Sequence, residues 1–268
     1  MLTVGFLGGG NMAGALIGGL LKGAPADITA HVVDPNAPKL ERLAAMGAVT
    51  HTELGDWVTA CDLVVLAVKP QMMKEAVAPL TPLLNPDGAV LSIAAGIGIE
   101  TLKDWLAGAV VLRSMPNTPA LVGCGISGLY APEGTPPEAL AAARCVLEAA
   151  GEVVEVKSEE EVDLVTAIPG SGPAYVFRFM EALEKAGLKR GLPPESARAL
   201  ALGTVYGAAE LARQSGEPFS TLRERVTSKG GTTAKALEVM NARDIDAMMD
   251  EAVEAAFRRA LEMKAAFR

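Results

Sequence analysis

The sequence predicts an α/β protein in which an N-terminal domain with a parallel sheet is followed by an all-α C-terminal domain. Up to residue 160, short runs rich in Val, Ile and Leu alternate with helix-like segments, as in repeated strand–helix units. Beyond that point only helix-like segments remain. The predicted domains therefore cover residues 1–160 and 161–268.

The strands of the first domain are predicted where apolar residues follow one another without alternation. Such strands are buried on both faces, as in a parallel sheet covered by helices. The segments assigned to this sheet are LTVGFL at 2–7, ITAHVV at 28–33, LVVLAV at 63–68 and AVLSI at 89–93. GEVVEV at 151–156 is predicted separately as the last strand. A further strand is expected before the loop RSMPNTP, which begins at Arg113.

The second domain is predicted to contain five helices. Ser158, followed three residues later by Glu161, forms a capping box, which marks the start of a helix. Glycine and proline residues separate the later segments. The predicted helices cover about 160–187, 194–214, 219–227, 232–242 and 244–266.

The second of these helices contains an uncharged stretch, ALALGTVYGAA, at residues 199–209. A helix without a polar face has to be covered nearly all round. A small helical domain has little interior for such a helix. We therefore expect a second copy of the chain to cover part of it.

Composition limits the classes of partner. The net charge is −8, and residues 1–160 hold 9 basic against 17 acidic side chains, whereas residues 161–268 hold 15 of each. An acidic chain without basic clusters predicts no nucleic-acid partner and favours a small ligand. No apolar run reaches the roughly 18–20 residues of a membrane span, and no signal segment is recognisable, so a soluble cytoplasmic protein is expected.

Neither the cysteines nor the histidines have the spacing of metal ligands. The three cysteines are scattered, and the two histidines, His31 and His51, have no partner at ligand spacing. The sequence therefore predicts no metal site.

Gly8, Gly10 and Ala13 fit the pattern G-x-G-x-x-A, directly after the first predicted strand and at the start of a helix. In that position the pattern is typical of a Rossmann dinucleotide-binding domain. Gly8 permits the tight turn, Gly10 lets backbone amides approach a pyrophosphate, and Ala13 allows close helix packing. The other cofactor-binding residues predicted in this turn are Gly9, Asn11 and Met12. A glycine turn that binds no ligand is the alternative.

Asp34 ends the second predicted strand, where an acidic side chain accepts hydrogen bonds from the adenosine ribose. Taken alone, it favours NAD, because a carboxylate repels a 2′-phosphate. Lys39 and Arg42 already belong to the next helix and are expected to lie too far along the chain to help. The alternative is that Asp34 only opens the Asp-Pro-Asn turn.

Further cofactor-binding residues are predicted at the carboxyl ends of the following strands, where α/β sheets bind their ligands. Pro70 would also start the next helix in a purely structural role. The loop RSMPNTP is stiffened by two prolines and is expected to hold an amide or a hydroxyl beside the ligand. The residues predicted here are Ala67, Val68, Lys69, Pro70, Ala94, Ala95 and Asn117.

The last motif, VTSKGGTTAKAL, places hydroxyl side chains on both sides of two glycines immediately before a helix. A helix start offers free amides to a carboxylate. In the structural alternative, Thr232 or Thr233 simply caps the helix.

Taken together, GxGxMA, AVKP, RxMPNTP, SGPAYxFxFMEAL, GLP and VTSxGGTT resemble the pyrroline-5-carboxylate reductase family, in the family's order and along the whole chain. One departure is Lys229, where the family usually has proline. The resemblance implies reduction of 1-pyrroline-5-carboxylate to L-proline with NADPH, or with NADH, as the last step of proline synthesis. It also implies a homodimer with interleaved helical domains and allows a decamer of five dimers.

The resemblance further assigns roles in the glycine-rich loop. Gly231 and Thr232 would bind the substrate carboxylate through their amides, with help from Ser228, and Thr233 would be the catalytic residue whose hydroxyl bonds the imine nitrogen. Hydride addition to an iminium depends mainly on positioning, which agrees with the lack of a histidine or metal site. The alternatives are a related imine or β-hydroxyacid oxidoreductase and a non-catalytic dinucleotide sensor.

Overall fold

The structure is a computed structural model that describes residues 1–23 and 27–267. Its contacts divide the chain into two compact units. The first contains Met1–Ser171 together with Ala255–Arg268, and the second contains Gly172–Glu254. None of the helices in the described ranges is both long enough and apolar enough to span a bilayer.

The first unit is built on one eight-stranded sheet, in the order β3-β2-β1-β4-β5-β6-β7-β8. The strands are β1 (Leu2–Leu7), β2 (Ile28–Val33), β3 (Val49–His51), β4 (Leu63–Leu66), β5 (Ala89–Ser92), β6 (Val110–Met115), β7 (Gly125–Tyr130) and β8 (Gly151–Glu155). The predicted parallel sheet is confirmed, and its first six strands have the doubly wound order of a Rossmann domain. The pair β6–β7 is antiparallel, which was not predicted.

Eleven α-helices are present in the described part of the chain. They are α1 (Asn11–Gly23), α2 (Ala37–Ala44), α3 (Met73–Val77), α4 (Ile99–Trp105), α5 (Pro137–Glu148), α6 (Glu159–Val165), α7 (Gly172–Leu188), α8 (Pro194–Ser215), α9 (Phe219–Arg225), α10 (Thr232–Ala242) and α11 (Ile245–Ala265). Single 3₁₀ turns lie at Asp56–Ala60, Pro70–Met72, Thr81–Leu83 and Thr118–Val122.

The predicted helix at 160–187 is the main departure among the helices, because it is interrupted. Ser158 caps its start, and its Oγ accepts from the amide of Glu161 at 3.2 Å, as the capping box predicted. A wide π-helical turn at Thr166–Gly170 then separates α6 from α7. Pro169 lies inside this turn and has no amide hydrogen to continue the α-helical ladder.

Both faces of the sheet are covered, which explains the uninterrupted apolar strands. Phe6 and Leu16 belong to the cluster beneath α1 and α5, whereas Leu66 and Met73 belong to the cluster on the opposite face. All four side chains are fully buried. Because β1 and β4 are neighbours and parallel, their carboxyl ends meet at the point where the strand order reverses.

In the second unit, α7 packs against α8, and the uncharged stretch of α8 remains open in the single chain. The exposed fractions are 59% for Leu200, 53% for Leu202 and 69% for Tyr206. Phe177 of α7 is 64% exposed. Large apolar side chains at such exposure mark a surface that another molecule covers.

Candidate cofactor and substrate sites

The turn after β1 is held against the end of β4. Gly8 has φ +103°, and a Cβ placed on it would lie 2.9 Å from Val68 Cγ1 and 3.0 Å from the carbonyl of Ala67. Its amide donates to the carbonyl of Val33 at 2.8 Å. Both the backbone conformation and the close approach therefore require glycine at position 8.

Gly10 is surrounded differently, because a Cβ there would meet no described atom within 4 Å. Its carbonyl accepts from the amide of Gly14 at 2.9 Å, which places it at the start of α1. Asn11 is exposed and Met12 is half-buried. Packing within the described residues therefore does not require a glycine at position 10. The first amides of the 13-residue α1, next to this open space, have the arrangement of an anion-binding helix start.

Asp34 is buried and holds this turn in place. Its Oδ2 accepts from the amide of Gly9 at 2.8 Å and from Lys39 Nζ at 2.9 Å, and its Oδ1 accepts from the amide of Asn36 at 2.9 Å. Burial alone would raise the pKa of Asp34, but these three hydrogen bonds outweigh it and lower the pKa below its usual value. The carboxylate is therefore ionised at neutral pH.

The position of Lys39 corrects one expectation. Because Lys39 belongs to the next helix, we did not expect it to act beside Asp34, but its Nζ lies 2.9 Å from Asp34 Oδ2. Asn36 caps α2 by accepting from the amide of Lys39 at 3.2 Å, and the first turn of α2 directs the ammonium back to Asp34. Asp34 also opens the Asp-Pro-Asn turn, because its Oδ1 accepts from the amide of Asn36. The alternative role considered for Asp34 is therefore present as well.

The other predicted groove residues follow the neighbouring strands. Ala67 and Val68 continue from β4 and are half-buried, Lys69 is exposed, and Pro70 begins a 3₁₀ turn. After β5 come Ala94, which is buried, and Ala95, which is half-buried. Because β4 and β5 are parallel, these segments lie at the same edge of the sheet as the glycine turn.

The amide of Asn117 links two other segments of the first unit. Its Oδ1 accepts from the amide of Ile126 at 2.9 Å, and its Nδ2 donates to the carbonyl of Pro169 at 3.0 Å. The side chain is buried. Asn117 thus fixes the loop after β6 against β7 and against the π-helical turn.

The glycine-rich loop lies in the second unit, between α9 and α10. Gly230 has φ +71°, and the amide of Gly231 donates to the carbonyl of Ser228 at 3.0 Å. A Cβ at Gly231 would collide with Ser228 Oγ, so the hydroxyl lies directly over this glycine. Ser228 is exposed and Thr233 is half-buried.

The capping alternative for the two threonines is not what the structure shows. Gly231 occupies the N-cap position of the 11-residue α10, and no side chain of the described ranges caps it. Thr232 is the first helical residue and Thr233 the second. The amides at this helix start therefore have no intrahelical acceptor.

The sequence did not reveal an ionic network in the first unit. Arg113, which is 1% exposed, binds Asp163 at 2.6 Å and Glu159 at 3.1 Å. Lys264 binds the same two carboxylates, Asp163 at 3.0 Å and Glu159 at 3.4 Å. The local signal was an arginine in a mostly apolar strand, together with two acidic residues four apart on α6.

The two histidines do have a partner, namely each other. In the pairing of β2 with β3, Val33 lies opposite His51, and His31 lies two residues before Val33 on the same face of the sheet. The two histidines are therefore diagonal neighbours, and His31 Nδ1 lies 3.0 Å from His51 Nε2. The ring of Trp57 stacks on both. Burial lowers the pKa of each histidine. Within residues 1–23 and 27–267, no three His, Cys, Asp or Glu side chains are placed to hold a metal ion.

Two family models match the chain. Residues 159–263 match the model described as pyrroline-5-carboxylate reductase dimerisation. Residues 3–96 match the model described as NADP oxidoreductase, coenzyme F420-dependent. The first match covers the helical part of the chain, and the second covers the glycine turn and Asp34.

Full-length relatives and solved structures agree with each other. The pyrroline-5-carboxylate reductase of Haemophilus influenzae is 42% identical to this chain, and the match covers 98% of each chain. The pyrroline-5-carboxylate reductase of Pseudomonas aeruginosa is 41% identical, and the match covers 97% of this chain and 96% of the relative. A pyrroline-5-carboxylate reductase structure from Coxiella burnetii matches with a TM-score of 0.93 at 35% identity over 97% of both chains. The Plasmodium falciparum pyrroline carboxylate reductase, solved with NADP bound, matches with a TM-score of 0.83 at 28% identity over 98% of both.

Proposed function

The chain belongs to the pyrroline-5-carboxylate reductase family, and we propose from this premise how its residues carry out the NAD(P)H-dependent reduction of 1-pyrroline-5-carboxylate to L-proline. The family resemblance inferred from six motifs is thereby confirmed. The observation that carries the assignment is the match to named reductases over nearly the whole chain at about 40% identity. This oxidoreductase reaction completes proline synthesis.

The dinucleotide is assigned to the carboxyl edge of the sheet in the first unit. The turn from Gly8 to Met12 would hold the pyrophosphate, because Gly10 leaves open space beside the amides of α1. The other residues proposed to line the site are Asp34, Ala67, Val68, Lys69, Pro70, Ala94, Ala95 and Asn117. When bound, the reduced nicotinamide supplies a hydride.

The Asp34–Lys39 pair supports the use of either cofactor. A buried, ionised carboxylate accepts a hydrogen bond from a ribose hydroxyl, which suits NADH. The neighbouring ammonium is 43% exposed and can pair with a 2′-phosphate, which suits NADPH. We propose NADPH as the preferred cofactor and NADH as a second one.

The substrate is assigned to the loop before α10. The uncapped amides at this helix start favour a carboxylate. Thr232 would supply the main amide, because the amide of Gly231 already donates to Ser228 and could only be shared with the substrate. The Ser228 hydroxyl, which is exposed beside Gly231, would assist.

Thr233 is proposed as the catalytic residue. Its hydroxyl would hydrogen-bond the imine nitrogen, which carries the proton, while the adjacent carbon accepts the hydride. No strong base is needed, because a protonated imine is already an electrophile. The contribution of the protein is then chiefly to hold the two reactants in line.

Dimer formation follows from the match of residues 159–263 to the family's dimerisation domain. We propose that the helical domains interleave and that five dimers can form a decamer, with the exposed apolar residues of α7 and α8 in the interface. The functional boundary is kept near residue 160, since the dimerisation match begins at 159. We also propose a cytoplasmic location, because the three cysteines are free thiols, as in reducing compartments.

The substitution Thr233→Val tests the substrate assignment, with Thr233→Ser as the matched control that keeps the hydroxyl. Loss of this hydrogen bond should lower kcat/KM for the pyrroline about 10-fold or more, while the Kd for NADPH stays unchanged. The serine variant should retain most of the activity. Full kcat/KM in the valine variant would show that the hydroxyl does not serve the reaction.

A further inference from the structure

We propose that the last turns of α11 position the loop after β5 that lines the cofactor site, and that Lys264 locks them in place. This loop runs from the end of β5 at Ser92 to the start of α4 at Ile99 and contains Ala94 and Ala95. The inference rests on the proposed function, because that function places the cofactor against Ala94 and Ala95. All residues concerned lie in the first unit.

The first support is a backbone contact in the middle of the loop. Gly96 has φ +74°, and a Cβ built on it would lie 2.9 Å from the Cβ of Met263 and 3.4 Å from its carbonyl carbon. At Gly98, the built Cβ would lie 3.3 Å from Lys264 Cε. The loop thus packs directly on α11, and a displacement of these helical turns would carry Ala94 and Ala95 with it.

The second support is the ionic network, which reaches both ends of the loop. Glu159 Oε1 accepts from the amide of Ile99 at 2.8 Å, where the loop ends. Arg113 is the register partner of Ser92, where the loop begins. Lys264 binds both Glu159 and Asp163, so the same carboxylates that hold α4 and β6 also hold α11.

The ionic network contains equal numbers of positive and negative side chains. Because most of these side chains are buried, an unpaired charge among them would be unfavourable. Two cations, Arg113 and Lys264, face two carboxylates, Asp163 and Glu159. Asp163 and Arg113 are each 1% exposed, and the Lys264 side chain is 15% exposed. Removing one cation leaves an uncompensated buried negative charge, which is strongly unfavourable, so the network would rearrange.

Apolar contacts also hold the last turns of α11 in the first unit. Phe267 packs against the apolar cluster of β4 and α4, and Ala260 is buried. Helical turns secured in this way can support a binding loop only while these contacts persist. We therefore assign Lys264 the role of a positioning residue rather than a catalytic one.

The test is Lys264→Met in the full-length protein, with Lys264→Arg as the conservative variant and Arg259→Met as a matched control. Arg259 lies on the same helix and forms an exposed pair with Glu262. For Lys264→Met, the Kd and KM for NADPH should rise about 10-fold, as when a group supporting a binding site is lost. The KM for the pyrroline and kcat at saturating NADPH should change less than about twofold by the same reasoning. Lys264→Arg should restore the Kd, and Arg259→Met should leave it unchanged.

An unchanged Kd for NADPH in a folded Lys264→Met variant, even with a lower Tm, would overturn the inference, because a purely structural role predicts that pattern. If this variant does not fold, Glu159→Gln decides. It keeps an oxygen acceptor for the amide of Ile99 but removes one charge, and it should also weaken NADPH binding selectively; an unchanged Kd would overturn the inference.

The proposed function fails separately from the positioning role. A wild-type protein that binds NADPH but does not reduce the pyrroline would refute the function, while a selective loss of NADPH binding in Lys264→Met would still support the positioning role.

Discussion

The two outer glycines of the β1–α1 turn should respond in opposite ways to the same substitution. Gly8 needs its missing side chain for the fold, because its φ is positive and Val68 and Ala67 lie about 3 Å from the position of a Cβ. Gly10 does not, because the same methyl group would meet no described atom within 4 Å. Because the space beside Gly10 is proposed to hold the pyrophosphate, Gly10→Ala should reduce cofactor binding without reducing stability.

The expected magnitudes follow from these contacts. For Gly8→Ala, a left-handed conformation costs about 1–2 kcal/mol, and forcing a methyl group against the backbone adds roughly 1–3 kcal/mol. At about 2–4 °C per kcal/mol for a chain of this size, the Tm should fall by about 10 °C. For Gly10→Ala, the Tm should stay the same or rise slightly, because the unfolded chain loses entropy worth about 0.4–1 kcal/mol.

Cofactor binding provides the decisive contrast between the two variants. In Gly10→Ala, the methyl group would occupy the space proposed for the pyrophosphate, and the Kd should rise at least about 10-fold, or 1.4 kcal/mol. The assay is titration of NADPH fluorescence, with Tm measured on the same samples. A Gly10→Ala variant that binds NADPH within about twofold of the wild type would refute the placement of the pyrophosphate at this turn.

Two further predictions concern the groups beyond this turn. Asp34→Ser should raise the ratio of kcat/KM for NADPH to kcat/KM for NADH, because it removes the repulsive carboxylate and releases Lys39 for a 2′-phosphate. Adding Lys39→Met should abolish this gain. An unchanged ratio in the single variant would show that Asp34 does not affect cofactor choice. Since burial lowers the pKa of His31 and His51 in the folded state, their contribution to stability is present above about pH 6.5 and is lost as the pH falls below it. His51→Phe should therefore flatten the decline of Tm between about pH 7 and pH 5, and an undiminished slope would contradict that cause.

Local chemistry was enough to predict the parts of the molecule that depend on neighbouring residues. The glycine turn, the strands around it, the capping box at Ser158 and the starts of the later helices all follow from short-range patterns. Strand β3 was missed because it has only three residues, and β7 because GISGLY carries two glycines and a serine. The break between α6 and α7 was not predicted, because one helix was assigned to 160–187 although Pro169 lies within it. Even with that proline, the sequence does not distinguish a kink from a π-helical turn.

The contacts that could not be predicted join residues far apart in the chain. Lys264 is 101 residues from Asp163, and Arg113 is 50 residues from it. The pairing of His31 with His51 depends on strand order, which the sequence pattern does not specify. The contact of Lys39 with Asp34 was not expected, because Lys39 belongs to the next helix. A lysine side chain is nevertheless long enough to extend about one helical turn.

The measurement that tests the central proposal most directly is the conversion of 1-pyrroline-5-carboxylate by the purified wild-type protein, followed at once by NADPH absorbance and by chiral analysis of the product. We predict one L-proline formed for each NADPH oxidised, and slower oxidation with NADH. Binding of NADPH without oxidation would indicate a dinucleotide sensor instead. Oxidation with another imine or a hydroxyacid partner, but not with this substrate, would indicate a related oxidoreductase, and either result would contradict the account.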